Sequence, residues 1–182
     1  MGDDCLSFGL EWLNFANAVC FGNKFMIEVR AAQVGDGEFL MRATLELARH
    51  HGWEQSVIAT AQDLENALFK PDALVGAFLA FAAGTFAGSV VWHRSFSTNR
   101  GCEVIYLEDI IVTADFRRKG VAEALLKVLA KFAVTNGYPS IFWVMMNWNE
   151  GARDFYAKIG ADVEPDSSVY SLKGHALLRM AE

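Results

Sequence analysis

Two carboxylates stand side by side in an otherwise apolar run, Ile105-Tyr-Leu-Glu108-Asp109-Ile-Ile-Val112. Burying either one without a partner costs several kcal/mol, so each must cap a backbone group, pair with an arginine or meet a cationic ligand. Just beyond them, Asp115-Phe-Arg117-Arg118-Lys119-Gly120-Val121-Ala122 places three cations and a glycine at a helix start. Exposed N–H groups and the helix dipole favour an anion there, and glycine lets the backbone approach it closely. From Ala114 to Lys131 five basic residues oppose two acidic ones, a +3 island in a chain of net charge −6. A solvated, tightly turned helix start is the plain alternative, since an R-x-x-G-x-A string is common by composition. A third group, Asn149-Glu-Gly-Ala-Arg-Asp-Phe-Tyr156, has N-x-x-A-x-x-F-Y spacing that chance rarely supplies.

These groups need elements to carry them. Val104 to Val112 reads as a long strand, Gly120 to Asn136 as a helix, Ser140 to Met146 as a strand apolar on both faces, and Asn149 to Ile159 as a helix ended by Gly160. Upstream, Met26 to Arg30 alternates as a strand, and Gly35 to His51 carries Phe39, Leu40, Ala43 and Leu47 at helical spacing. Thr60-Ala-Gln-Asp63 is a capping box opening a second helix. Ala73 to Trp92 lacks charge for 20 residues, a membrane-spanning length, but Ala83-Gly84-Thr85 divides it into two strands of a buried antiparallel pair. Val169 to Met180 reads as a final strand running into a helical turn. The order β-α-α-β-β-β-α-β-α-β describes one mixed α/β domain over residues 26–182. Residues 1–25 form an extension in which Trp12, Phe15, Ala16 and Val19 suggest an amphipathic helix.

Composition bounds the possibilities. The 182 residues are 53% hydrophobic and 21% charged, which fits one globular unit. A net charge of −6 argues against nucleic acid or an anionic membrane surface as partner and suits a cationic one. Cys5, Cys20 and Cys102 are odd in number with no CxxC or Cys/His spacing, so neither a disulfide framework nor a metal is assigned, and a reducing cytoplasm is expected. Asp3 and Asp4 stand where a signal peptide carries cations.

The ordered pair of motifs, R-x-x-G-x-A after one strand and N-x-x-A-x-x-F-Y after the next, resembles the GNAT N-acetyltransferase superfamily. Tyr106-Leu-Glu-Asp109, Asn147-Trp-Asn-Glu150 and Leu177-Leu-Arg-Met-Ala181 are similar to the diamine (spermidine/spermine) N-acetyltransferases within it. The resemblance implies a single GNAT-like domain, a mixed central sheet with helices on both faces, and acetyl-CoA as co-substrate without a metal. It implies that the backbone of Ile110, Ile111 and Val112 pairs with the pantetheine arm. Arg117, Arg118, Lys119, Gly120, Val121 and Ala122 would wrap the pyrophosphate, with Asn149 on the other wall and Tyr156 near the thioester sulfur. Two departures stand out. Arg118 and Ala122 replace glycines, and His51 falls where those enzymes carry a substrate-binding glutamate.

An N-acetyltransferase acting by direct attack on a small cationic amine follows as the expectation. An amine of pKa about 10.4 is neutral at pH 7 in roughly one part in 2,500, a cost of about 4.6 kcal/mol, so a base is needed. Glu108 is the candidate base, acting through water, and Tyr156 the acid that protonates the leaving thiolate. Glu108, Asp109 and His51 are the candidate acceptor-binding residues. A protein N-terminal or lysine acetyltransferase and a non-catalytic acyl-CoA-binding module are the competing readings. The resemblance also implies a homodimer.

Overall fold

The computed structural model describes residues 18–21, 26–164 and 166–181. They fall into two compact units, one ending at Val144 and the other beginning at Met145. In the first, six strands form one sheet in the order β1 to β6: β1 (Ala18–Phe21), β2 (Met26–Ala31), β3 (Val75–Ala82), β4 (Thr85–Ser97), β5 (Cys102–Val112) and β6 (Ile141–Phe142). Neighbours from β1 to β5 are antiparallel and β5 with β6 is parallel. Three helices accompany them: α1 (Gly37–His51), α2 (Ala61–Phe69) and α3 (Val121–Thr135).

The uncharged stretch is the centre of this sheet. Most of β3 and the first half of β4 are buried, so both faces of the pair need apolar side chains, which explains the missing charges. Ala83 and Gly84 join the strands with positive φ at both positions (49° and 75°), the two-residue turn whose twist matches a hairpin. Among the described residues no helix is long and apolar enough to cross a membrane.

Alternation along β4 sends successive residues to opposite faces. Trp92 packs on Phe132 of α3, with ring centroids 4.6 Å apart, while Ser89 and Val91 line a cavity with Leu40, Ala43, Thr44 and Leu47 of α1. Helices therefore cover both faces. Asp36 fixes the entry to α1: Arg30 donates to both of its carboxylate oxygens and the Gln33 N–H donates to it at 2.7 Å, which neutralises a nearly buried charge. Gly52, at φ 71°, ends α1, and the capping box at Thr60 and Asp63 opens α2 as the sequence indicates.

Three expectations change. Ala18–Phe21 is a strand bonded to β2, so Val19 does not lie on a helix; the rest of that expected helix lies outside the described residues. β6 covers only Ile141–Phe142 of the expected Ser140–Met146 strand, because β5 offers it pairing at just two positions, and Phe142 and Val144 are correspondingly exposed. In the second unit, α4 (Glu150–Lys158) and α5 (Gly174–Met180) form, but no strand forms between Val169 and Lys173. That segment carries Val169 and Tyr170 well exposed, and among the described residues no strand edge pairs with its backbone.

Candidate active site

The register of β5 decides where its carboxylates go. Trp92 of β4 stands opposite Leu107 and Val91 opposite Asp109, which leaves Glu108 as the extra residue of a β-bulge. Because the bulge resets the alternation, Leu107 shares the α3 face with Trp92, whereas Asp109 shares the α1 face with Val91. Glu108 itself is turned into solvent. Its Oε2 lies 3.7 Å from His93 Nε2, and the His93 ring packs against Tyr106, tilted by 30° with centroids 5.0 Å apart. His93 Nδ1–H donates to the Arg94 carbonyl at 3.2 Å, which directs Nε2 toward Glu108.

Asp109 and Ile111 complete the cavity beneath α1, a space of about 10 Å³ that also meets Thr44 and Ser89, enough for one water. Desolvation first, and the Glu108 charge second, push the Asp109 carboxyl up to about 6. A carboxylate poised there exchanges protons near neutral pH far more readily than an ordinary one.

Past Val112 the chain turns through a short 3-10 segment, Ala114–Phe116, into the cationic loop. Arg117 Nε donates to the Val112 carbonyl at 3.2 Å, and Arg117 Nη2 lies 3.4 Å from Glu46 of α1. Arg118 and Gly120 both have positive φ, 61° and 90°. Gly120 is the N-cap of α3 and, as a glycine, supplies no side-chain cap to its first turn. A helix start, a left-handed glycine and three cations are thereby brought together in one short turn, an arrangement that favours an anion. Ile110, Ile111 and Val112 lie on the stretch of β5 beyond its pairing with β6, which is confined to Ile105 and Tyr106.

His51 ends α1 and packs against Trp53, with centroids 4.6 Å apart. Burial, and then the neighbouring His50, hold its pKa below the ordinary imidazole value, so it stays neutral to lower pH than a free histidine. In the second unit Asn149 caps α4, its side-chain oxygen accepting from Ala152 N–H at 3.1 Å. Tyr156 is half-buried on that helix and burial pushes its hydroxyl up to about 12.

The first unit thus brings Glu108 and Asp109 into electrostatic contact and ties Arg117 to the end of β5. Sequence reasoning missed Glu46, His93 and the polar cavity residues Thr44 and Ser89. Glu46 and its partners are 68 and 71 residues apart, and no local spacing announces them.

The family model described as Acetyltransferase (GNAT) family matches residues 51–161. L-ornithine N5-acetyltransferase of Arabidopsis thaliana is 34% identical over 91 residues, covering 50% of this chain and 40% of that protein. Thialysine N-epsilon-acetyltransferase of Caenorhabditis elegans is 31% identical over 119 residues, covering 65% of this chain and 72% of that protein. Among solved structures, an integron cassette protein of V. cholerae superposes with a TM-score of 0.71 at 25% identity, covering 86% of this chain and 98% of that one.

Proposed function

The chain belongs to the acetyltransferase (GNAT) family, and on that premise we propose that it transfers an acetyl group from acetyl-CoA to a primary amine of a small cationic acceptor. The observation that carries this reading is the path of β5: bonded to β4 along its length but to β6 only at Ile105 and Tyr106, it leads directly into a cationic helix start whose N-cap is a glycine. A strand edge of this kind suits the amide groups of a pantetheine arm, and the cradle at Arg117–Ala122 suits a pyrophosphate. Acetyl-CoA supplies an activated acyl group; the remaining work falls to the protein.

The acceptor's ammonium is drawn by Glu108 and Asp109, which lie in a chain whose overall charge is also negative. Glu108 takes the ammonium proton through water, as direct contact would hold the amine in its charged form. Asp109 next to it, enclosed beneath α1, takes up a proton near pH 6. By resemblance, Asn149 contributes to holding the co-substrate and Tyr156 Oη delivers a proton to the departing thiolate. With His51 in place of a second carboxylate, short diamines and basic amino acids suit the site better than long polyamines. The names of the ornithine and thialysine enzymes support that preference.

The test offers the protein acetyl-CoA with short diamines, diamino acids, long polyamines and lysine-bearing peptides, and follows thiol release. Short amines reacting fastest supports the proposal; peptides reacting fastest would replace it with a protein acetyltransferase. A homodimer remains part of the reading, supported by exposure of Val169, Tyr170, Leu178 and Met180 near the C-terminus. Sedimentation as a monomer at micromolar concentration would remove it.

A further inference from the structure

Glu46 lies on α1 with its side chain 17% exposed, and it reaches the turn that follows β5. Its Oε1 accepts from the backbone N–H of Ala114 at 2.8 Å and lies 3.4 Å from Arg117 Nη2. Arg117 is meanwhile anchored through Nε to the Val112 carbonyl at 3.2 Å. An exposed ion pair alone contributes little. Here the same carboxylate oxygen also satisfies a backbone donor at the point where the chain leaves the sheet, so one side chain ties α1, the end of β5 and the guanidinium together. Two nitrogens of Arg117 are held by these contacts, and a guanidinium carries five N–H groups, so donors remain for a phosphate.

We propose that Glu46 is a positioning residue for the co-substrate: it fixes the exit from β5 and orients Arg117 before the pyrophosphate arrives. The proposal rests on the reading of Arg117–Ala122 as the pyrophosphate cradle. Two effects oppose each other. The carboxylate offsets part of the Arg117 charge, which weakens attraction to phosphate, and it removes freedom that Arg117 would otherwise lose on binding. The backbone contact decides the balance, because without Glu46 the N–H of Ala114 loses its acceptor and the turn loses its tie to α1.

The experiment measures acetyl-CoA affinity by calorimetry, together with KM for acetyl-CoA and kcat, for Glu46→Ala, Glu46→Gln, Arg117→Ala and the double variant Glu46→Ala/Arg117→Ala. The expected result is that Glu46→Ala weakens acetyl-CoA binding about 5- to 20-fold and raises KM in parallel, with kcat at saturation within about twofold of wild type. Glu46→Gln, whose amide oxygen still accepts from Ala114, stays within about threefold. In the Arg117→Ala background the loss from Glu46→Ala shrinks by at least about twofold, because the part that acts through the orientation of Arg117 is already gone while the part that acts through Ala114 persists. Unchanged or tighter binding in Glu46→Ala, or full additivity in the double variant, overturns the proposal. If Glu46→Ala fails to fold, Glu46→Leu, which removes the acceptor but keeps the side chain's bulk, takes its place, and acetyl-CoA binding within about twofold of wild type in that variant overturns the proposal. Should Arg117→Ala itself leave acetyl-CoA affinity unchanged, the cradle reading fails as well; a weakened Arg117→Ala beside an unaffected Glu46→Ala refutes only the role of Glu46.

Discussion

Glu108 and Asp109 are adjacent on β5, yet only Asp109 has a register partner on β4: it faces Val91, while Glu108 is the unpaired residue of the bulge. The bulge thereby splits two chemically similar groups into an exposed carboxylate and an enclosed one, and the charge of the first adds to the desolvation that raises the second.

Replacing Asp109 by Asn tests that enclosure. The folded-state value of about 6 lies above the unfolded value of about 3.9. The native state therefore binds the extra proton between these values, and ionisation of Asp109 lowers stability as pH rises through that window. Asp109→Asn is expected to gain roughly 1 to 3 kcal/mol at pH 7, a gain that fades as the solution is brought to about pH 4. Urea unfolding at the two pH values measures it. An equal loss of stability at both would mean that the carboxylate makes favourable contacts beyond charge.

Arg118 occupies a left-handed conformation at φ 61°, which costs an L-residue roughly 1 to 2 kcal/mol. Glycine relieves this but loses more chain entropy on folding. Arg118→Gly is expected to stabilise by up to about 1 kcal/mol. Thermal unfolding reads the change, and a destabilisation of more than about 0.5 kcal/mol would show that the arginine side chain makes compensating contacts.

Much of this arrangement is legible in sequence because it is local. The β3–β4 turn is announced by Ala83-Gly84, the start of α2 by Thr60 and Asp63, and the cradle by its cations and Gly120. What is not legible depends on partners. The bulge at Glu108 exists only in the register with β4, so an assumption of strict alternation along β5 gives the wrong relation between Leu107 and Asp109. The two-residue length of β6 reflects where β5 stops pairing, not any breaker within Ile141 to Met146. Val19 reads equally well on a helix or on a strand until β2 is beside it. Glu46 looks like one more solvated glutamate until the fold brings Ala114 to it.

Tyr156→Phe separates an acid from a packing residue. If the hydroxyl protonates the thiolate, turnover falls about 10²- to 10⁴-fold with acetyl-CoA affinity retained. With its pKa near 12, Tyr156 stays protonated throughout pH 6 to 10, so the shape of the pH–rate profile in that range is expected to be the same in wild type and variant. Turnover above about half of wild type, measured by thiol release, assigns the proton to water or another donor.

His51 bears on acceptor length. Its lowered pKa keeps it neutral at pH 7, so it neither attracts nor strongly repels a second ammonium. His51→Glu is expected to raise kcat/KM for spermine about tenfold relative to a short diamine, a gain of about 1.4 kcal/mol. An unchanged ratio would place His51 away from the acceptor.

The central claim is acetyl transfer to an amine, and a single-turnover reaction addresses it most directly. Protein in excess over acetyl-CoA is mixed with a short diamine or a basic diamino acid, and free thiol and N-acetylated product are quantified together. The expected result is one acetylated amine per thiol released, with little thiol when the amine is omitted. Acetyl-CoA that binds but releases no thiol with any amine, or thiol that appears without acetylated product, would contradict the account.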